Sequence, residues 1–305
     1  MASSSKKVIY AALIGNALIA VTKFIASVTT GSSAMLSEGI HSLVDTGNQL
    51  LLLLGLKRAK MPADEEFPFG HGKEVYFWSF VVAIMIFAVG AGISLYEGIH
   101  SLMDPHPVQD PYINYIVLGL AMVFEGGAWY FAWKEFNAMR DSRGYFEAVR
   151  KEKDPTTFVV LFEDTAAMLG LIVAFVGIGL GQYTGNPAWD GIASIVIGLI
   201  LGLTAAWLAY ETKGLLIGES ADKEIVRQIR SMADDFKEIK RVNETLTMHM
   251  GPNFILVNIS VDYMDGLDSQ RVEESISRLN RQIKEQFPRV KRVFVEAQAL
   301  SDRQT

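Results

Sequence analysis

The chain has no cysteine among its 305 residues. That excludes disulfides and thiolate metal sites, so any metal chemistry falls to imidazole and carboxylate. Histidine is scarce too, with five copies. Basic residues do not dominate: 28 Lys and Arg stand against 34 Asp and Glu, a net charge of -6. No clustered basic face of the kind a nucleic-acid partner needs is present. No nucleophile–base pair, phosphate-binding loop or redox motif appears, so the common enzyme classes have nothing to rest on. Internal repeats and low-complexity segments are missing as well.

Apolar sequence, by contrast, is plentiful. Half of the residues are hydrophobic, and they concentrate before about residue 215. A bilayer core takes about 20 mostly apolar residues per helix. Six segments qualify: 8–29, 34–56, 75–101, 112–136, 157–181 and 188–211. The first follows "MASSSKK" and is too long for the apolar core of a signal peptide. Lys and Arg are missing from "TTGSS", "MDPHPVQDP" and "GQYTGNPAW" but frequent in "LKRAKMPADEEFPFGHGK" and "KEFNAMRDSRGYFEAVRKEKD". This alternation predicts a multi-pass membrane protein with both termini in the cytoplasm. Lys23 interrupts the first segment and is expected to snorkel toward an interface.

After about residue 212 the pattern changes to mixed charge. "DKEIVRQIRSMADDF" has helical spacing. "VNETLTMHM" and "FILVNISVDYM" alternate like strands around a Gly251-Pro252 turn. "DSQRVEESISRLNRQIKEQF" is an amphipathic helix opened by Asp268 or Ser269, and "VKRVFVEAQAL" is a third strand. The order αββαβ predicts a small open sheet with two helices on one face.

Within the second segment lies "SEGIHSLVD". Residues four apart share a helix face, so His41 and Asp45 project together, with Glu38 one turn earlier. Ionisable groups at membrane depth are costly and mark polar pathways. One imidazole and one carboxylate at i, i+4 form half of a divalent-metal site; the plainer alternative is a hydrogen-bonded core triad. In "DPTTFVVLFEDTAAMLG", Asp154-Pro155 opens the fifth segment, and Glu163 and Asp164 lie about two turns further on. Adjacent helical residues point about 100° apart, so one of the two is expected to face His41 and Asp45 directly. Glu125, beside Gly126 and Gly127 in the fourth segment, either lines a proton path or bonds to a neighbouring helix. Asp190 is expected to cap its own helix. Trp129, Tyr130 and Trp133 suit an interfacial belt, and the Gly177–Gly181 spacing suits helix packing.

Six helices, an αββαβ domain, "HSLVDTGNQ" in the second segment and "FGHGK" after it resemble the cation diffusion facilitator family over nearly the whole chain. The wording "SEGIHSLVDTGNQLLLLLGL" and "DPTTFVVLFEDTAAMLG" is most similar to its zinc transporter 9-like branch. The resemblance implies an α-helical membrane protein, with six transmembrane helices in residues 1–211 and a cytoplasmic α+β, ferredoxin-like dimerisation domain in residues 212–305. It implies a homodimeric, proton-coupled antiporter that exports zinc by alternating access, in a bacterial inner membrane or an organelle membrane. Zn2+ is then substrate, with Mn2+, Fe2+ or Co2+ as alternatives, and no organic cofactor is implied. A passive pore and a non-transporting scaffold are the rival readings.

Carried over by position, the family's central site falls on His41, Asp45 and Asp164. Val160 stands where a fourth ligand is usual, which leaves that place to Glu163, Glu38, Asn48 or water, with Glu163 preferred. One imidazole with two or three carboxylates is a hard donor set that discriminates less against manganese or iron. Asp64 and His71 match a loop-borne second site, but two ligands make a weak one. The alternative is a hairpin, "FPFGHG", packed against the membrane helices. In the sheet domain Asn243 and Asn258 replace family histidines and only Glu296 remains, so no binuclear site is expected there. His249 is expected to be a packed strand residue.

Overall fold

The computed structural model describes residues 2–140, 144–151 and 153–299; 141–143 and 152, in the basic connection before the fifth segment, lie outside them. Chain contacts divide it into two compact units. The first holds six long helices: α1 (Ala2–Thr30), α2 (Ser33–Arg58), α3 (Glu74–Met103, with a π-helical stretch at Ile86–Ala91), α4 (Pro111–Met139), α6 (Pro155–Thr184) and α7 (Ala188–Ile217). A short α5 (Tyr145–Lys151) lies between α4 and α6. Among the described residues four helices, at Glu74–Met103, Pro111–Ala138, Pro155–Thr184 and Ala188–Ile217, are long and apolar enough to cross a bilayer. The chain is an integral membrane protein. α2 falls short of that measure because it carries Glu38, His41 and Asp45 inside and Lys57 and Arg58 at its end.

The burial pattern of this unit suits a lipid solvent. Large apolar side chains such as Val28, Phe87, Phe124, Phe131 and Leu203 are exposed on its surface, while Lys23, Glu38, His41 and Glu163 are buried. In lipid an outward Phe costs nothing and an outward charge costs several kcal/mol.

Helix ends follow local chemistry. Asp154 caps α6, its carboxylate accepting from the Thr156 amide at 3.1 Å, with Pro155 in the first turn. Gly31, at φ 70°, makes the tight reversal between α1 and α2. Asp190 does not cap its own helix; Asn186 does, accepting from the Ala188 amide at 3.0 Å. Asp190 is buried and accepts from the Ser33 amide at 2.5 Å and the Ser32 and Ser33 hydroxyls at 2.5 and 2.9 Å. It therefore caps α2 from a position 157 residues away.

α3 and α7 approach almost backbone to backbone. A Cβ on Gly98 would stand 2.7 Å from the Ile195 amide nitrogen and 2.8 Å from the Gly191 carbonyl oxygen, and one on Gly198 would stand 3.0 Å from the Leu95 nitrogen. Gly177 likewise lets α6 lie against Ala193 of α7, the packing role expected from its spacing. Of the aromatic trio, only Tyr130 points outward. Trp129 donates to Thr165 Oγ1 at 3.0 Å and Trp133 to the Tyr145 hydroxyl at 2.9 Å, because an indole N–H in an apolar setting needs a partner.

The second unit contains α8 (Lys223–Asp234), β1 (Ile239–Gly251), β2 (Phe254–Tyr263), α9 (Ser269–Gln286) and β3 (Val290–Ala297), the expected αββαβ order. β2 is central, antiparallel to β1 and parallel to β3. Asp222 caps α8, and Asp268 rather than Ser269 caps α9. Ile255, Val257, Ile259 and Val261 of β2 form one buried face with Ile229, Leu279 and Ile283 of the helices. The hairpin Arg58–Glu74 belongs to this unit. A Cβ on Gly72 would overlap the Met250 carbonyl oxygen and reach Gly251 Cα at 3.2 Å. The loop backbone is seated directly on the end of β1.

Candidate metal centre

The polar stripe of α2 faces α6. His41 is 1% exposed, and its Nε2 stands 3.4 Å from Asp45 Oδ2 without hydrogen-bond geometry. Both ring nitrogens therefore lack a protein partner, as does Asp45 Oδ1. One turn on, Asn48 Nδ2 donates to Glu163 Oε1 at 2.6 Å, and its own Oδ1 is unpartnered. Asp45 lies against Glu163 and within electrostatic reach of Asp164. Asp164 is half-buried and lines a pocket of about 20 Å3 with Ser42, Asp45 and Glu125, room for about one water or a bare ion.

Of the two adjacent carboxylates, Glu163 makes the direct contact, reaching Asn48 and Asp45. Asp164 shares the small pocket beside Asp45 without bonding to it. Val160 is half-buried and packs with the apolar core, offering no donor. Among the described residues no three His, Asp or Glu side chains stand assembled around one point that would hold a metal ion. What is assembled is a buried imidazole with one free lone pair and, beside it, unpartnered oxygens of Asp45 and Asn48, acceptors of the kind a cation satisfies.

Lys23 is what the sequence reading missed. It does not snorkel; it is fully buried. Its Nζ lies 3.0 Å from Glu38 Oε2, 2.8 Å from Glu125 Oε1 and 2.8 Å from Ser42 Oγ. A positive side chain in one apolar segment and negative ones in two others were visible in the sequence, but the pairing spans up to 102 residues. Glu38 and Glu125, both candidates for the metal or proton path, are the counter-ions of this lysine.

Asp64 and His71 do come together. His71 Nε2 lies 2.9 Å from Asp64 Oδ2, the Phe67 amide donates to Asp64 Oδ1 at 2.6 Å, and the Phe67 ring lies 4.6 Å from the imidazole. The His71 bond, followed by the Phe67 amide, holds the Asp64 carboxyl below its usual range. In the sheet unit, Asn243 donates to the Gln298 carbonyl at 2.9 Å, while Asn258 and Glu296 are exposed. His249 is 2% exposed, and burial, reinforced by the Lys153 charge, pushes its pKa down to about 4.

The family model for the cation efflux transmembrane domain matches residues 9–217. The human mitochondrial proton-coupled zinc antiporter SLC30A9 is 34% identical over 259 residues, covering 84% of this chain and 46% of that protein. The chain thus spans less than half the length of that relative. Metal tolerance protein C4 of Arabidopsis thaliana is 28% identical, over 85% of this chain and 57% of its own. The manganese efflux system protein MneP of Bacillus subtilis is 23% identical over 95% of both chains. With its apolar helices, its buried donor stripe and a family match over most of its length, the chain belongs to the cation efflux, or cation diffusion facilitator, family and to the branch that resembles zinc transporter 9.

Proposed function

We propose that this chain is a proton-coupled antiporter of a divalent cation, with zinc as substrate and His41, Asp45, Glu163 and Asp164 as the cation site. The observation that carries the reading is that His41, whose neutral ring offers one lone pair and one N–H, and Asp45 Oδ1 are buried without a hydrogen-bond partner beside the carboxylates of α6. A buried polar group without a partner costs roughly 1–3 kcal/mol, and a bound cation removes that cost. Binding takes a neutral imidazole and ionised carboxylates, so the arriving cation expels protons, and reprotonation on the other side releases it. Exchange then follows from one competition at one site, exposed alternately to the two sides. Six membrane crossings with cytoplasmic termini, residues 1–211 as the transport domain and residues 212–305 as a dimerisation domain complete the reading. Its support is the alternating charge of the connections and the family match.

Manganese is the second reading. Three carboxylates to one imidazole make a hard donor set, and a relative matched over nearly its full length is named for manganese efflux. Uptake of zinc, manganese, cobalt and iron into proteoliposomes under an imposed pH gradient tests both readings. Gradient-driven uptake that vanishes in Asp45→Ala is expected, and the preferred ion names the substrate. Flux without proton counter-flux would indicate a pore, and no uptake of any ion by folded protein a scaffold.

A further inference from the structure

Lys23 already occupies a cation position inside the helical unit. An ammonium has three N–H donors, and the three acceptors around it, Glu38 Oε2, Ser42 Oγ and Glu125 Oε1, use all of them. The lysine is fully buried and so is Glu38, while Glu125 is largely buried. One positive and two negative groups leave a net charge of −1 in this cluster. Each carboxylate keeps one unpartnered oxygen, Glu38 Oε1 and Glu125 Oε2. Glu38 Oε1 is buried against Gly170 of α6, where a Cβ would overlap it, so the absence of a side chain at Gly170 leaves this oxygen its place at the helix seam. Glu125 lines the same small pocket as Asp45 and Asp164. Take away the ammonium and two buried carboxylates remain around a hydroxyl, an arrangement of hard oxygen donors that suits a divalent ion.

We propose that Lys23 is a tethered cation that holds Glu38 and Glu125 out of the transported ion's ligand set and so limits this unit to a single divalent ion. The inference rests on the cation site proposed above. Lys23 acts through the two carboxylates and is a positioning and specificity residue. It fastens α1 to α2 and α4, and it keeps two strong carboxylates beside the transport site from trapping an ion that has to be released.

The test is equilibrium binding of zinc, and separately manganese, to the purified full chain in nanodiscs, counted as ions per chain. Lys23→Met keeps the stem and removes the charge. It is expected to bind one ion more per chain than wild type and to release it slowly in the uptake assay. The triple variant K23M/E38Q/E125Q is expected to return to the wild-type count, and Lys23→Arg to keep it. An unchanged count in K23M, an extra ion in K23R, or an extra ion that persists in the triple variant overturns the proposal. Should K23M not fold, zinc-induced infrared difference spectra of wild type and Glu38→Gln decide. Carboxylate changes common to both are expected, and a zinc-sensitive band missing from E38Q overturns the idea. Wild-type protein that binds no ion would instead remove the transport-site reading, while the difference between K23M and wild type still reports on Lys23 alone.

Discussion

Among the described residues two buried histidines stand beside an aspartate, and the two pairs are built in opposite ways. Asp64 and His71 satisfy each other at 2.9 Å, with the Phe67 amide and ring completing the arrangement and Asp64 open to water. His41 and Asp45 sit at 3.4 Å in near-complete burial, with both ring nitrogens and one carboxylate oxygen unpartnered. The first pair is a finished turn that pins a loop. The second keeps its hydrogen-bonding capacity unused. Residue type and spacing alone do not separate them; the difference lies in which hydrogen bonds have been left unmade.

The comparison can be broken by substitution. Asp45→Ala is expected to reduce gradient-driven uptake by about 100-fold or more, because even outer-shell partners of metal ligands cost 10–100-fold. Glu163→Ala and Asp164→Ala, assayed side by side, are each expected to lose about tenfold or more. If one of them transports like wild type, that residue leaves the site. Asp64→Asn, in contrast, is expected to cost uptake less than about threefold.

The sheet unit sharpens the same contrast through pH. His249 is buried with a pKa near 4, below the ordinary value near 6.5, so it favours the neutral form. Its contribution is complete above about pH 6.5 and is lost as pH falls toward 4, on the order of 2–3 kcal/mol. Hydrogen exchange of β1 and β2 amides is expected to speed up over that window in wild type, and much less in His249→Phe. The smallest effect belongs to the loop. Asp64, held low by His71, stabilises it above the ordinary carboxylate range and stops doing so as pH falls through its lowered value. In His71→Ala the loss begins at higher pH, read from exchange of the Phe67 amide.

Much of the fold was legible in order. The αββαβ pattern, the caps at Asp154 and Asp268 and the placing of His41 beside Asp45 on one face of α2 all follow from local periodicity and local chemistry. Three features did not, and for one reason. Lys23 finds its counter-ions on α2 and α4, Asp190 caps a helix 157 residues away, and the Gly72 loop docks on β1. Each is a long-range contact, and the sequence around the first two residues supports a local alternative equally well: snorkelling and a self-cap. The orientation of Glu163 and Asp164 fell between the two cases. Their 100° separation leaves one of them the direct contact, but that it is Glu163 depends on how α6 packs on α2.

The carboxylate of Asp190 turns α2 into a lever. It grips the helix at Ser33, and α7, which holds Asp190, is locked to α3 by glycines that leave no space for sliding. Asp45 is twelve residues from that grip, about 18 Å along the axis. A tilt of about 10° at the fulcrum carries its carboxylate about 3 Å, the length of one hydrogen bond. The distance between Asp45 and Glu163 is therefore sensitive to the angle at which α2 leaves its contacts with α7 at Ser33 and Ser37.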